Sequence, residues 1–203
     1  MSNLPSHPSD SDTVPTTYVG PEAGVVLTPH IPGVDLIRPI GKGAYGEVWI
    51  GRNPVNNRLI AVKLIRLTSK TGESCASREL SALRREASHR NRNPHLVDIL
   101  HVGQTAQYLY YFMELADAVD EQAPSSTPAY QPLTLAVLLH QKQIPTSDCL
   151  RIGTQLLEGL SALHQSGLTH RDVKPSNCLF VDGHLKLADY GLLAHSDSSS
   201  SII

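Results

Sequence analysis

Cysteine is scarce in this chain: Cys75, Cys149 and Cys178 are odd in number, far apart, and form no C-x-x-C pair. That spacing excludes a disulfide framework and a cysteine-based zinc site, and it suits a reducing, cytoplasmic compartment. Long apolar runs are missing too. No stretch approaches the roughly 18 apolar residues of a membrane helix, so no membrane segment is expected within these residues. An excess of one charge is lacking: 17 Lys and Arg face 19 Asp and Glu, a net charge of −2, which gives no electrostatic reason to expect a nucleic-acid partner. The first twenty residues have neither the basic start nor the apolar run of a secretory signal. No internal repeat is evident, and the histidines other than His170 show no metal-type spacing.

What is present is ordered along the chain. Residues 1–33 are rich in Ser, Pro, Thr and Asp and poor in large apolar side chains, a composition that reads as a disordered tail. From Val34 the pattern turns β-prone, with strands expected around Leu36–Ile37, Val48–Ile50, Leu59–Leu67, Leu96–Leu100 and Tyr108–Leu115, and Gly103 in the last turn. Between them, residues 77–90 read as an amphipathic helix. Its arginines and those just beyond it (Arg84, Arg85, Arg90, Arg92) read as a solvated face. Residues 117–132 are acidic, then Pro- and Ser-rich, and read as a linker or surface insertion. Residues 133–193 carry a short helix, Leu133–Leu139, then a longer one after Pro145. Thr146 or Ser147 is its expected cap, Asp148 suits its positive end, and Gly167 is its stop. Short strands around Cys178–Val181 and Leu185–Leu187 flank an Asp182-Gly183 turn, and residues 194–203 form a Ser-rich end. Strands first and helices later predict an α+β protein of two lobes.

One stretch concentrates chemistry: His170-Arg171-Asp172-Val173-Lys174-Pro175-Ser176-Asn177, followed by Asp189-Tyr190-Gly191. It offers a carboxylate to receive a proton, an ammonium beside it, and an amide with a second carboxylate to hold metal. Phosphoryl transfer needs that set, because it asks for positioning and charge neutralisation more than covalent chemistry. Magnesium takes only one or two carboxylates plus substrate oxygens, which one Asp, one Asn and a phosphate supply. Asp172 is then left to act as base, and Lys174 offsets negative charge developing nearby. His170 reads as a packed, structural imidazole.

Gly41-x-Gly43-x-x-Gly46 is followed by a resumed strand, so the glycines form a hairpin tip rather than a strand-to-helix turn. Such a tip lets backbone amides approach phosphate oxygens. Lys63 interrupts the apolar strand Ile60–Ile65, 17 residues after Gly46. Alternation puts Ala61, Lys63 and Ile65 on one face and Val62 and Leu64 on the other. A buried ammonium needs a partner; Glu79 is the best candidate, with Glu86 as the fallback.

With these motifs in order from Gly41 to Gly191, the chain resembles a eukaryotic-type Ser/Thr protein kinase over residues 34–193. The resemblance implies a protein-kinase-like two-lobed fold, with a small β-rich N-lobe and hinge at 34–116 and an incomplete α-helical C-lobe at 133–193. It implies ATP and Mg2+, and a protein serine or threonine as substrate. Gly41, Gly43 and Gly46 would cover the phosphates, and Lys63, oriented by Glu79, would contact them. Met113, Glu114, Leu115 and Ala116 resemble the hinge that pairs with adenine, with Met113 as gatekeeper. Val48, Ala61 and Leu179 would sandwich the ring. Asp172 would be the base, Lys174 its cationic neighbour, and Asn177 and Asp189 the metal ligands. Tyr190 stands where the family carries Phe, and no A-P-E signature follows Gly191 in the remaining twelve residues. The rival expectation is a kinase-like module that binds a nucleotide or a partner without transferring phosphate.

Overall fold

The computed structural model describes residues 17–19, 25–43, 46–67, 93–122, 127–141, 144–189 and 194–195. Two short antiparallel strands, β1 (Thr17–Val19) and β2 (Val25–Leu27), precede the main sheet. That sheet has five strands: β3 (Asp35–Gly43), β4 (Gly46–Arg52), β5 (Leu59–Arg66), β6 (Ile99–Gln104) and β7 (Tyr108–Met113). They pair antiparallel in the order β3-β4-β5-β7-β6.

Strand alternation gives the sheet two apolar faces. Ile60, Val62, Leu64, Tyr110 and Phe112 pack with Ile31, Val34, Leu36 and Trp49 on one side. Ala61, Ile65, Leu109, Tyr111 and Met113 join a second cluster on the other. Ile31 is buried and bridges to Val34. Residues just before Val34 therefore close the outer face of the sheet, where composition alone suggested a tail. Two expectations for the far edge need correction. The sixth strand starts at Ile99 rather than near Leu96, and Gly103 lies inside it opposite Tyr110. A Cβ at Gly103 would meet the Tyr110 ring at 2.3 Å, so glycine is there to admit the ring. The turn is made instead by Thr105, whose hydroxyl accepts from the Gln107 and Tyr108 amides.

The second lobe is helical. Helix α1 (Leu135–Gln141) and helix α2 (Thr146–Gln165) precede the strand pairs. Gly167, at φ +71°, ends α2 as its sequence foretold. Neither Thr146 nor Ser147 caps the start: Pro145 occupies the N-cap and no side chain bonds there, while Asp148 pairs with Arg151 at 3.2 Å. Strand β8 (Leu168–Thr169) pairs with β11 (Ala194–His195), and β9 (Cys178–Val181) with β10 (His184–Leu187). Ile152 and Leu163 of α2 pack with Leu168, Cys178, Phe180, Leu185 and Leu187 in the same cluster as the inner face of the sheet. One core thus joins both lobes in an α+β, protein-kinase-like architecture. Residues 93–98 clamp the junction: Val97 N–H donates to the Leu187 carbonyl at 3.0 Å, and Leu187 N–H to that of His95 at 2.9 Å.

Candidate active site

The lobes enclose a cavity of about 450 Å³. Its roof is the β3–β4 hairpin, where Gly43 pairs with Gly46. A Cβ on Gly46 would come within 2.2 Å of the Leu64 carbonyl oxygen, so only glycine lets the hairpin tip lie against β5. Gly41, Gly43, Gly46, Val48, Ala61 and Lys63 line the upper wall, and Met113, Glu114, Leu115 and Ala116 the back. The floor carries Asp172, Lys174, Asn177, Leu179 and Asp189. Every residue singled out for the site from sequence lines this one cavity, except Glu79. Glu79 and its fallback Glu86, with the whole 77–90 helix and Tyr190, lie outside the described residues.

Lys63 sits on the central strand and is 6% exposed. It is no solvated edge lysine. Its ammonium contacts Asp189 Oδ1 at 2.5 Å, and the Tyr111 ring lies 5.7 Å away. A charge taken that far from water is sustained by such a carboxylate partner. Asp189 adopts φ +70° and Arg171 φ +62°, left-handed conformations for non-glycine residues at the two ends of the catalytic stretch. Such local strain persists where surrounding contacts over-determine it.

His170 shows how. Its ring is 1% exposed. Nδ1 accepts the Asp172 N–H at 3.3 Å, so the Nε2 proton is donated to the Ala188 carbonyl at 2.9 Å. One imidazole thereby ties the loop bearing Asp172 to the residue preceding Asp189. Asn177 adds a second tie, its Nδ2 donating to the Asp172 carbonyl at 2.9 Å and to Asp172 Oδ2 at 3.0 Å. Lys174 Nζ bonds the same Oδ2 at 2.6 Å. The other carboxylate oxygen of Asp172 makes no hydrogen bond among the described residues, which leaves it as the atom able to take a proton. With the Asn177 nitrogen committed to Asp172, its amide oxygen remains as a donor for a hard cation. That oxygen with the Asp189 carboxylate fits Mg2+, which completes its shell from phosphate and water. Among the described residues, no cluster of three or more His, Cys, Asp or Glu offers a rival metal site.

Sequence reasoning missed two features of the back wall. The Glu114 carboxylate is held in an ion pair with Lys186, at 2.7 and 2.8 Å, and accepts the Asp98 N–H at 2.8 Å. Tyr130 also lines the cavity. Its phenol donates to the Ala116 carbonyl at 2.8 Å, and burial pushes the phenol well above its ordinary pKa, partly opposed by Arg38 and reinforced by Asp117. A lone aromatic within a polar, Pro-rich stretch was the available signal. The described ends of the 117–132 segment are paired with each other: Val119 N–H donates to the Gln131 carbonyl at 2.9 Å, and Leu133 N–H to that of Asp117 at 2.7 Å.

Comparison with known proteins agrees with this geometry. A family profile described as "Protein kinase domain" matches residues 34–202. "CBL-interacting protein kinase 4" from Oryza sativa subsp. japonica is 32% identical over 169 residues, covering 81% of this chain and 34% of that protein. "CBL-interacting serine/threonine-protein kinase 7" from Arabidopsis thaliana is 33% identical over 164 residues, 79% and 34% of the two chains. "Cyclin-dependent kinase 14" from Xenopus tropicalis is 32% identical over 161 residues, 78% and 34%. The chain therefore spans about a third of the length of these relatives.

Proposed function

Because the chain belongs to the protein kinase domain family, we propose that it transfers the γ-phosphoryl group of Mg·ATP to serine or threonine hydroxyls of protein substrates. The observation that carries this is the convergence of Lys63, Asp172, Lys174, Asn177 and Asp189 on one cavity from positions 126 residues apart at the extremes. Adenine would lie between Val48 and Ala61 above and Leu179 below. Its polar edge would meet the backbone of Glu114 and Ala116, where Ala116 N–H and the Glu114 carbonyl make no hydrogen bond among the described residues. The glycine hairpin would cover the phosphates while Lys63 contacts them.

For transfer, the substrate hydroxyl approaches the open oxygen of Asp172 and gives up its proton there as its oxygen bonds to the γ-phosphorus, while the bond from that phosphorus to the β–γ bridging oxygen breaks and ADP leaves with the electron pair. Lys174, already beside Asp172, offsets negative charge on the transferring group. Asn177 and Asp189 would hold Mg2+, which neutralises the phosphate oxygens when bound. Lys174 two residues after Asp172 supports a Ser/Thr rather than a Tyr acceptor. The cysteine pattern supports a cytoplasmic setting.

Labelled ATP with a generic basic protein substrate tests the reading. Asp172→Asn should lower transfer by at least about 100-fold while nucleotide affinity stays within a few-fold. Transfer unchanged in that variant would remove Asp172 as the base. Nucleotide binding without transfer by the unmodified chain would favour a binding module.

A further inference from the structure

Arg38 is 7% exposed, and its hydrogen-bond acceptors among the described residues are all backbone carbonyls. Nε donates to Thr127 at 3.0 Å, one terminal nitrogen to Tyr130 at 2.8 Å, and the other to Pro39 at 3.3 Å. A buried guanidinium satisfied only by neutral acceptors is a costly way to fill space, and an apolar side chain would pack there more cheaply. Its geometry is also specific. Register shifts in β3 fall on both sides of the Arg38-Pro39 pair, between Leu36 and Arg38 and between Pro39 and Gly41. Bulges of this kind re-aim side chains, and here Arg38 is aimed at the insertion.

Tyr130 completes a chain of contacts. Its carbonyl takes Arg38, its ring lies 5.8 Å from the Arg38 guanidinium carbon, and its phenol donates to Ala116. The strand carrying Gly41 and Gly43 is thereby tied, through one residue of the insertion, to the hinge. We propose that Arg38 and Tyr130 are positioning residues that hold the glycine hairpin at a fixed height over the hinge and so set the affinity for nucleotide. The proposal rests on the kinase reading of the cavity. The tie touches none of Asp172, Lys174 and Asn177, so it acts on nucleotide binding and not on the chemical step.

Arg38→Met, Arg38→Lys and Tyr130→Phe in the full chain test this with two readouts. Steady-state kinetics should show KM for ATP raised about fivefold by Arg38→Met and by Tyr130→Phe, with kcat within about twofold. Arg38→Lys keeps charge but cannot serve the carbonyls as a planar fork, so it should fall with the Met variant rather than restore KM. Amide hydrogen exchange without nucleotide should quicken at residues 40–43 and 46–48 and stay unchanged in β9 and β10. Unchanged exchange overturns the proposal. Faster exchange with unchanged KM, or a fall in kcat alone, also overturns it, since Arg38 would then be a structural clamp. If the unmodified chain takes no ATP, the kinase reading fails first, and the exchange result alone then decides whether the tie exists.

Discussion

Lys63 and Cys178 show how burial sets the chemistry of a single side chain. The Lys63 ammonium, buried on the central strand, lies against the Asp189 carboxylate, so Lys63→Met should weaken ATP binding and lower transfer by at least about tenfold, as befits a charge contact to phosphate. Equal ATP affinity in that variant, measured by calorimetry, would contradict the assignment. Cys178 is the opposite case. Burial raises its thiol pKa, so the reactive thiolate is suppressed at mildly alkaline pH, whereas Cys149 is exposed. At about pH 8, iodoacetamide should modify Cys149 in the native protein and reach Cys178 only on unfolding, as peptide mapping would reveal. The residues from His170 to Asn177, with Asp189, were legible in the sequence because their chemistry is carried by a short run of unusual side chains. Arg38 and Tyr130 were not. They lie 92 residues apart, bond through backbone carbonyls, and carry no pattern that a linear reading can pair.

Among the elements, α2 and the hinge are fixed by close contacts that invite direct tests. A Cβ on Gly159 would stand 2.7 Å from the His95 carbonyl oxygen, so Gly159→Ala should push α2 from the 93–98 clamp. That should lower stability by about 1–3 kcal/mol, seen as a reduced denaturant midpoint, despite the better helix propensity of alanine. The Glu114–Lys186 pair, with side chains only 12% and 14% exposed, fixes the hinge to β10. Lys186→Met would leave a buried carboxylate without its cation and should cost about 3 kcal/mol; adding Glu114→Gln should recover part of the loss. Strand periodicity made β4, β5 and β7 readable, and Asp182-Gly183 made the β9–β10 turn so, with φ of +51° and +74°. The Gly103 turn and the α2 cap were misplaced for different reasons: the Tyr110 ring lies over Gly103 inside β6, and Pro145, whose ring fixes φ, takes the N-cap position in place of Thr146 or Ser147.

In the whole molecule, the inner face of the sheet and the second lobe share a single apolar cluster. The lobes should therefore unfold together. Trp49, the sole tryptophan, reports the outer face of the sheet, and far-ultraviolet circular dichroism reports α2. The two signals should lose structure at the same denaturant concentration. Leu187→Ala, at a fully buried position between the lobes, should shift both by about 2–5 kcal/mol. Separate midpoints would show two independent units.

The central claim is that Lys63, Asp172, Asn177 and Asp189 surround one nucleotide–magnesium site. Equilibrium titration of ATP, with and without Mg2+, into the unmodified chain and into Asp189→Asn tests it most directly. The unmodified protein should bind ATP more tightly when Mg2+ is present, and the variant should lose that enhancement. ATP binding indifferent to both magnesium and the substitution, or no binding at all, would contradict it.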